Sequence, residues 1–98
     1  MAGTIQTPCM YERIDISGKE LIIEVNLLGV KAENIDFKLA EDSFAVRATN
    51  ENIKYSGSSF TCCPVIPDKA EAKYLNGTLT VRVPLQKPFP KPVNIKID

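Results

Sequence analysis

Cys62 and Cys63 are the only reactive-looking pair in this sequence. On a strand, successive side chains point to opposite faces, so one thiol of the pair enters the core and the other faces outward. Structural cysteine is the plainer reading. A redox-sensing thiol at Cys63 is the alternative. A structural zinc site normally takes four ligands at C-x₂-C-like spacing, and three thiols without that spacing do not supply them. There is no histidine, which removes the commonest general base and metal ligand. The carboxylates are spread over turns and outer strand positions, the five glycines are scattered singly, and a lone serine without a base is a weak nucleophile. The inventory argues against an enzyme, and against any metal, cofactor or small-molecule substrate.

Whatever the chain does must come from its surfaces. Ninety-eight residues make one domain with a modest core. Twelve basic and twelve acidic residues leave a formal net charge of zero. No basic excess is available to neutralise phosphates, which argues against nucleic acid. Little self-repulsion opposes association with further copies. No apolar run approaches the ~18 residues of a membrane span, and the first residues lack the basic flank and apolar segment of a secretory signal. An odd number of cysteines, two of them adjacent, suits reduced thiols and a cytoplasmic protein.

The elements that build those surfaces read as strands. Asn76-Gly77 carries the strongest short hairpin signal, because both central residues of a type I′ turn need positive φ. After it Leu79, Val81 and Val83 alternate with Thr78, Thr80 and Arg82; before it Ala72 and Tyr74 alternate with Glu71 and Lys73. Pro84 ends the ladder. Upstream, residues 1–10 read as a flexible arm, and 11–16 as a strand with Glu12, Ile14 and Ile16 on one face. Leu21, Ile23, Val25 and Leu27 form the apolar face of the next strand, which Gly29 breaks; residues 30–34 allow at most a single helical turn. Two more strands follow, with Ile35, Phe37 and Leu39 on one inner face and Phe44, Val46 and Ala48 on the other. Residues 53–55 and 60–63 read as one strand interrupted around Gly57. Short strands with frequent turns and no helical period predict an all-β, immunoglobulin-like antiparallel sandwich of about seven strands in two sheets.

The domain is expected to occupy residues 11–85, and a proline-rich extension residues 86–98. Pro84, Pro88, Pro90 and Pro92 favour an extended arm. It ends with apolar Val93, Ile95 and Ile97 at alternate positions. They either add an edge strand to their own sandwich or dock on a neighbouring chain, with alternate side chains entering pockets.

The sequence Ala72-x-Tyr74-x-Asn76-Gly77-x-Leu79-x-Val81-x-Val83-Pro84 resembles the signature hairpin of the α-crystallin domain of small heat-shock proteins. Residues 22–30 are similar to the family's strand ending in Leu-Pro-Gly, with Leu28 in place of the proline. Residues 31–37 are similar to its K-x-E-D-I-x-V segment, and Ile95-Lys96-Ile97 to its terminal I-x-I motif. The resemblance implies a homo-oligomer, dimer or larger, that holds unfolded or partly folded client proteins without ATP. It also implies that Val93, Ile95 and Ile97 dock in a groove walled by Ile35, Phe37 and Leu39 and by Ala72 and Tyr74. Two further departures stand out. The arm before the first strand is short, and only residues 50–52 separate two strands where many members carry a long loop with a strand swapped into a partner. A dimer is then expected to use another surface, such as the 53–62 edge. The related CS-domain co-chaperones, which use the same sandwich on one specific partner, are the competing resemblance.

Overall fold

The computed structural model describes residues 4–88 and 93–98. Its strands are β1 (Thr4–Gln6), β2 (Met10–Ile14), β3 (Glu20–Asn26) and β4 (Ile35–Leu39). They continue with β5 (Ser43–Thr49), β6 (Ile53–Phe60), β7 (Glu71–Leu75) and β8 (Thr78–Pro84). One sheet has the order β1-β6-β5-β4 and the other β2-β3-β8-β7. Every pairing is antiparallel except that of β1 with β6. The expected all-β sandwich is present, with eight strands rather than about seven.

The period of two along the sequence becomes the layer between the sheets. Leu21, Ile23 and Val25 of β3 lie in register with Val83, Val81 and Leu79 of β8, and all six are buried. Phe44, Val46 and Ala48 face them from β5. Burying one such aliphatic side chain stabilises the fold by roughly 1.5–3 kcal/mol. Ile22 points the other way yet is only 1% exposed. Arg13 and Arg82 flank it in register, and their aliphatic stems cover it while their charged heads stay in water. Those heads meet Glu24 at 3.3 Å, Glu20 at 3.0 Å and Asp15 at 3.3 Å. Exposed pairs of this kind contribute little by themselves.

The hairpin forms as expected, with Asn76 at φ 52° and Gly77 at φ 79°. The expected single turn is a short 3₁₀ helix, Ala32–Asn34.

Three expectations are corrected. Residues 4–10 are not a free arm, because Thr4–Gln6 pairs with Ile53–Tyr55 and Met10 already belongs to β2. The first long strand also stops at Ile14, so Ile16 lies beyond it, fully exposed. There the chain turns, with Gly18 N–H donating to Asp15 O at 2.8 Å. The break expected at Gly57 is absent, since β6 runs unbroken to Phe60. Gly57 sits opposite Val46, and a Cβ there would lie 3.1 Å from Met10 Cε and 3.3 Å from Pro8 Cδ. The glycine makes room for residues 8–10, which cross from one sheet to the other and close that side of the sandwich. Gly57→Leu should therefore lift this segment. Amide exchange at residues 4–6 should accelerate while β3 stays protected; unchanged exchange would contradict that role.

Candidate functional site

With the β6/β2 side closed by residues 8–10, the opposite side, between β4 and β7, is left open. Each of these two strands has a neighbour on one edge only, so each presents unpaired backbone groups. Asp36, Lys38, Glu71 and Lys73 alternate with the inward residues along them, and charged side chains on edge strands discourage indiscriminate pairing.

The inward residues are the five that the resemblance singles out. Ile35, Phe37 and Leu39 lie in register with the buried Ala48, Val46 and Phe44. Phe37 also stacks on Phe44, ring centroids 5.7 Å apart. Ala72 and Tyr74 lie in register with buried Val81 and Leu79. Four of the five are half-buried and packed against the core, whereas Ala72 is exposed. These residues thus place apolar side chains along the β4 and β7 edges of the core. Two of the five also line surface depressions, Ala72 the larger of two and Leu39 the other. One of about 690 Å³ is lined by Lys73, Leu75 and Thr80 among others, and one of about 630 Å³ by Lys38, Ser58 and Phe60 among others.

Tyr74 does more than line a wall. Its hydroxyl lies 2.7 Å from both Leu27 O and Val30 O and donates its single hydrogen to one of them at a time. This ties β7 to the turn that leads into β4. Nothing in the sequence spacing signals that bond, because its partners are more than forty positions away. Tyr74→Phe should cost about 1–2 kcal/mol, the usual loss for a half-buried hydrogen bond with its acceptor left behind, measured as a lower urea midpoint. No change in midpoint would show that the bond contributes nothing to stability.

Val93, Ile95 and Ile97 do not fold back as an edge strand. They are 78%, 78% and 91% exposed, and residues 93–98 have no assigned secondary structure. The proline-rich arm expected before them falls partly on residues 89–92, outside those described. The tail's root is well fixed. Leu85 bridges Val65, Gln86 N–H donates to Pro64 O at 2.9 Å, and the Gln86 amide reaches Val65 O and Glu41.

The expected β6 edge is only partly available for pairing, because β1 occupies it along Ile53–Tyr55. The strand geometry expected for Cys62 and Cys63 is also corrected. Both lie in the loop after β6, and instead of pointing to opposite faces their sulfurs are 2.9 Å apart. Partial burial of its sulfur, then the hydrogen bond to Cys63, push the Cys62 thiol up to about 12. Among the described residues no group of three or more cysteine or acidic side chains is placed to hold a metal ion. Among the described residues no helix is long and apolar enough to cross a membrane.

No protein-family model and no curated protein sequence matches the chain. Solved structures do. Heat shock protein 16.0 from Schizosaccharomyces pombe superposes with a TM-score of 0.78 at 18% identity, covering 95% of this chain and 99% of that one. HSP18.5 from E. histolytica gives 0.71 at 13% identity, over 94% and 99% of the two chains. A small heat-shock protein from Xylella fastidiosa gives 0.65 at 12% identity, over 95% and 97%. The sandwich built by these residues is thus the fold shared by the small heat-shock proteins, the α-crystallin domain.

Proposed function

We propose that the chain is an ATP-independent holdase of small heat-shock type, with no enzymatic activity. It binds unfolded or partly folded proteins and self-associates by placing Val93, Ile95 and Ile97 in the cleft between β4 and β7 of another copy. One observation carries this reading. Three aliphatic side chains stand at alternate positions, exposed, on a chain whose β4 and β7 edges carry apolar side chains. Exposed apolar surface on both partners is what the hydrophobic effect joins, and a segment with alternating side chains suits an open strand edge. A client's exposed apolar surface would be covered in the same way before it meets another client. The cytoplasm, where three unpaired thiols stay reduced, is the compartment for such a chain.

The test compares the solution mass of the full chain with that of a chain stopped after Pro88. That end point keeps the Gln86 hydrogen bonds of the tail's root. A larger assembly for the full chain, and a smaller one for the shortened chain, is the expected result. Two monomers at high concentration would rule out tail-driven assembly. In parallel, the full chain should suppress aggregation of a heated client without nucleotide.

A second reading, a co-chaperone or scaffold module of CS-domain type acting on one partner, is favoured by the short 50–52 connection and by β1 on the β6 edge. Both monomeric mass and no suppression at several-fold excess would select it.

A further inference from the structure

We propose that Cys62 and Cys63 are a redox modification site, closing reversibly into a vicinal disulfide that loosens the hydrogen-bonded root of the C-terminal extension. The thiols are already together. Their sulfurs are 2.9 Å apart, about 1 Å beyond the ~2.0 Å of a disulfide. Ending β6 at Phe60 is what makes this possible, because a strand would have sent the two side chains to opposite faces. Cys62 is exposed, so a small oxidant can reach the pair, and Cys63 is half-buried against the core.

A low-molecular-weight disulfide is the oxidant. The Cys63 thiolate attacks it, forming a mixed disulfide and expelling one thiolate. Cys62 then loses its proton and attacks Cys63 Sγ, closing the ring and expelling the second thiolate. Two protein thiols are oxidised and one small disulfide is reduced to two thiols, so atoms and electrons balance. The 2.9 Å contact lets Cys62, whose thiol is raised by burial, keep its proton and share it with Cys63 Sγ, the sulfur that attacks first.

Reversibility follows from chain geometry. Adjacent Cα atoms are about 3.8 Å apart across a trans peptide, closer than the ~4.4–6.8 Å usual for a disulfide. A bond forced across that span is strained and readily reduced. It is suited to a switch rather than a staple.

The neighbouring hydrogen bonds say where the strain goes. Cys62 N–H donates to Glu12 Oε1 at 3.0 Å, and Thr61 Oγ1 donates to Cys63 O at 2.8 Å. These hold the ends of the dipeptide. The peptide between them resists twisting, so ring closure displaces the residues that follow. Pro64 accepts from the Gln86 N–H, Val65 bridges Leu85, and Ile66 N–H donates to Pro84 O at 2.9 Å. The tail's root is therefore the first structure to move, whatever the tail itself docks on.

The experiment uses the full chain carrying Cys9→Ser, treated with excess oxidised glutathione, alkylated and mapped by mass spectrometry. The peptide spanning residues 62–63 should lose two hydrogens, retain no glutathione and recover on reduction with dithiothreitol. Cys62→Ser in the same background should stop at a glutathione adduct on Cys63. In the oxidised protein, the Ile66 and Gln86 amides, which bond across the tail's root, should exchange at least several-fold faster while β3 amides are unchanged. A persistent glutathione adduct on the intact pair, free alkylated thiols, or no adduct in Cys62→Ser would overturn the proposal. So would a closed ring that leaves Ile66 and Gln86 exchange unaltered, or one that speeds β3 equally.

Discussion

Replacing Ile95 and Ile97 together by serine should reduce the solution mass of the chain to that of the chain stopped after Pro88. Both side chains are exposed in the single copy, so their removal takes nothing from the sandwich, and its urea midpoint should not move. Burial of two isoleucines is worth roughly 3–6 kcal/mol, at ~1.5–3 kcal/mol each. Losing that weakens each docking event by a factor of about 10²–10⁴. The reach is adequate. Nine positions separate the fixed Gln86 from Ile95, an extended span of up to about 30 Å. The complementary change is Ala72→Glu. Ala72 is the exposed member of the cleft wall, so a larger charged side chain there blocks the cleft without entering the core. It should dissociate the assembly as the tail substitutions do. If either variant keeps the full mass with an unchanged fold, the tail and this cleft are not partners.

The halves of that cleft were not equally legible in the sequence. Ile35, Phe37 and Leu39 announce themselves by alternation, because a strand half-covered by its own sheet must segregate its side chains by face. The same rule exposes Ala72 and Tyr74, and the Asn-Gly turn pins their register against Leu79 and Val81. What alternation does not convey is which inward residue is finally covered. Ala72 sits on the inner row of the last strand of its sheet and is exposed, whereas Tyr74 on the same row packs against the core, a difference the local pattern does not carry. Glu12 shows the same limit. It occupies the inner row of β2 between Met10 and Ile14, and its charge is accommodated because β2 is also an outer strand and the Cys62 N–H supplies a donor.

The misread stretches share a cause, which is that their partners are distant in sequence and leave no periodic trace. β1 is three exposed residues paired in parallel with β6, too short to show a period. Gly57 reads as an interruption when viewed alone, since glycine weakens strands. It reads as a continuous strand residue once Pro8 and Met10 are seen packed over it. Thr61 N–H still reaches Asp42 O at 2.8 Å, in line with the β5/β6 ladder, and the two thiols follow only after that pairing has ended. Val93, Ile95 and Ile97 are exposed in the single copy, whereas their alternation alone also allowed an extra edge strand.

The largest effect on stability from a single methyl group is expected at Gly77. Gly77→Ala should lower the unfolding free energy by about 2–4 kcal/mol, a large share of the ~5–15 kcal/mol that holds a domain of this size together. Two causes add. At φ 79° an L side chain is strained by about 1–2 kcal/mol. A Cβ there would also stand 2.7 Å from Leu28 Cδ1 and 3.1 Å from Leu28 Cα. The Leu28 side chain can swing aside, but its Cα belongs to the backbone that receives the hairpin, where Leu27 N–H donates to Gly77 O at 2.7 Å. Relieving the overlap therefore stretches that bond and moves the Leu27–Val30 turn on which Tyr74 also hangs. Asn76→Gly is the control. Its φ of 52° suits glycine, so the loss should stay below about 1 kcal/mol, mostly unfolded-state entropy. Equal urea midpoints for the two variants would mean that the close approach of Leu28 to the turn does not exist in solution. A lower midpoint for Gly77→Ala alone would show that it is the backbone at Gly77, and not the turn as a whole, that tolerates no side chain.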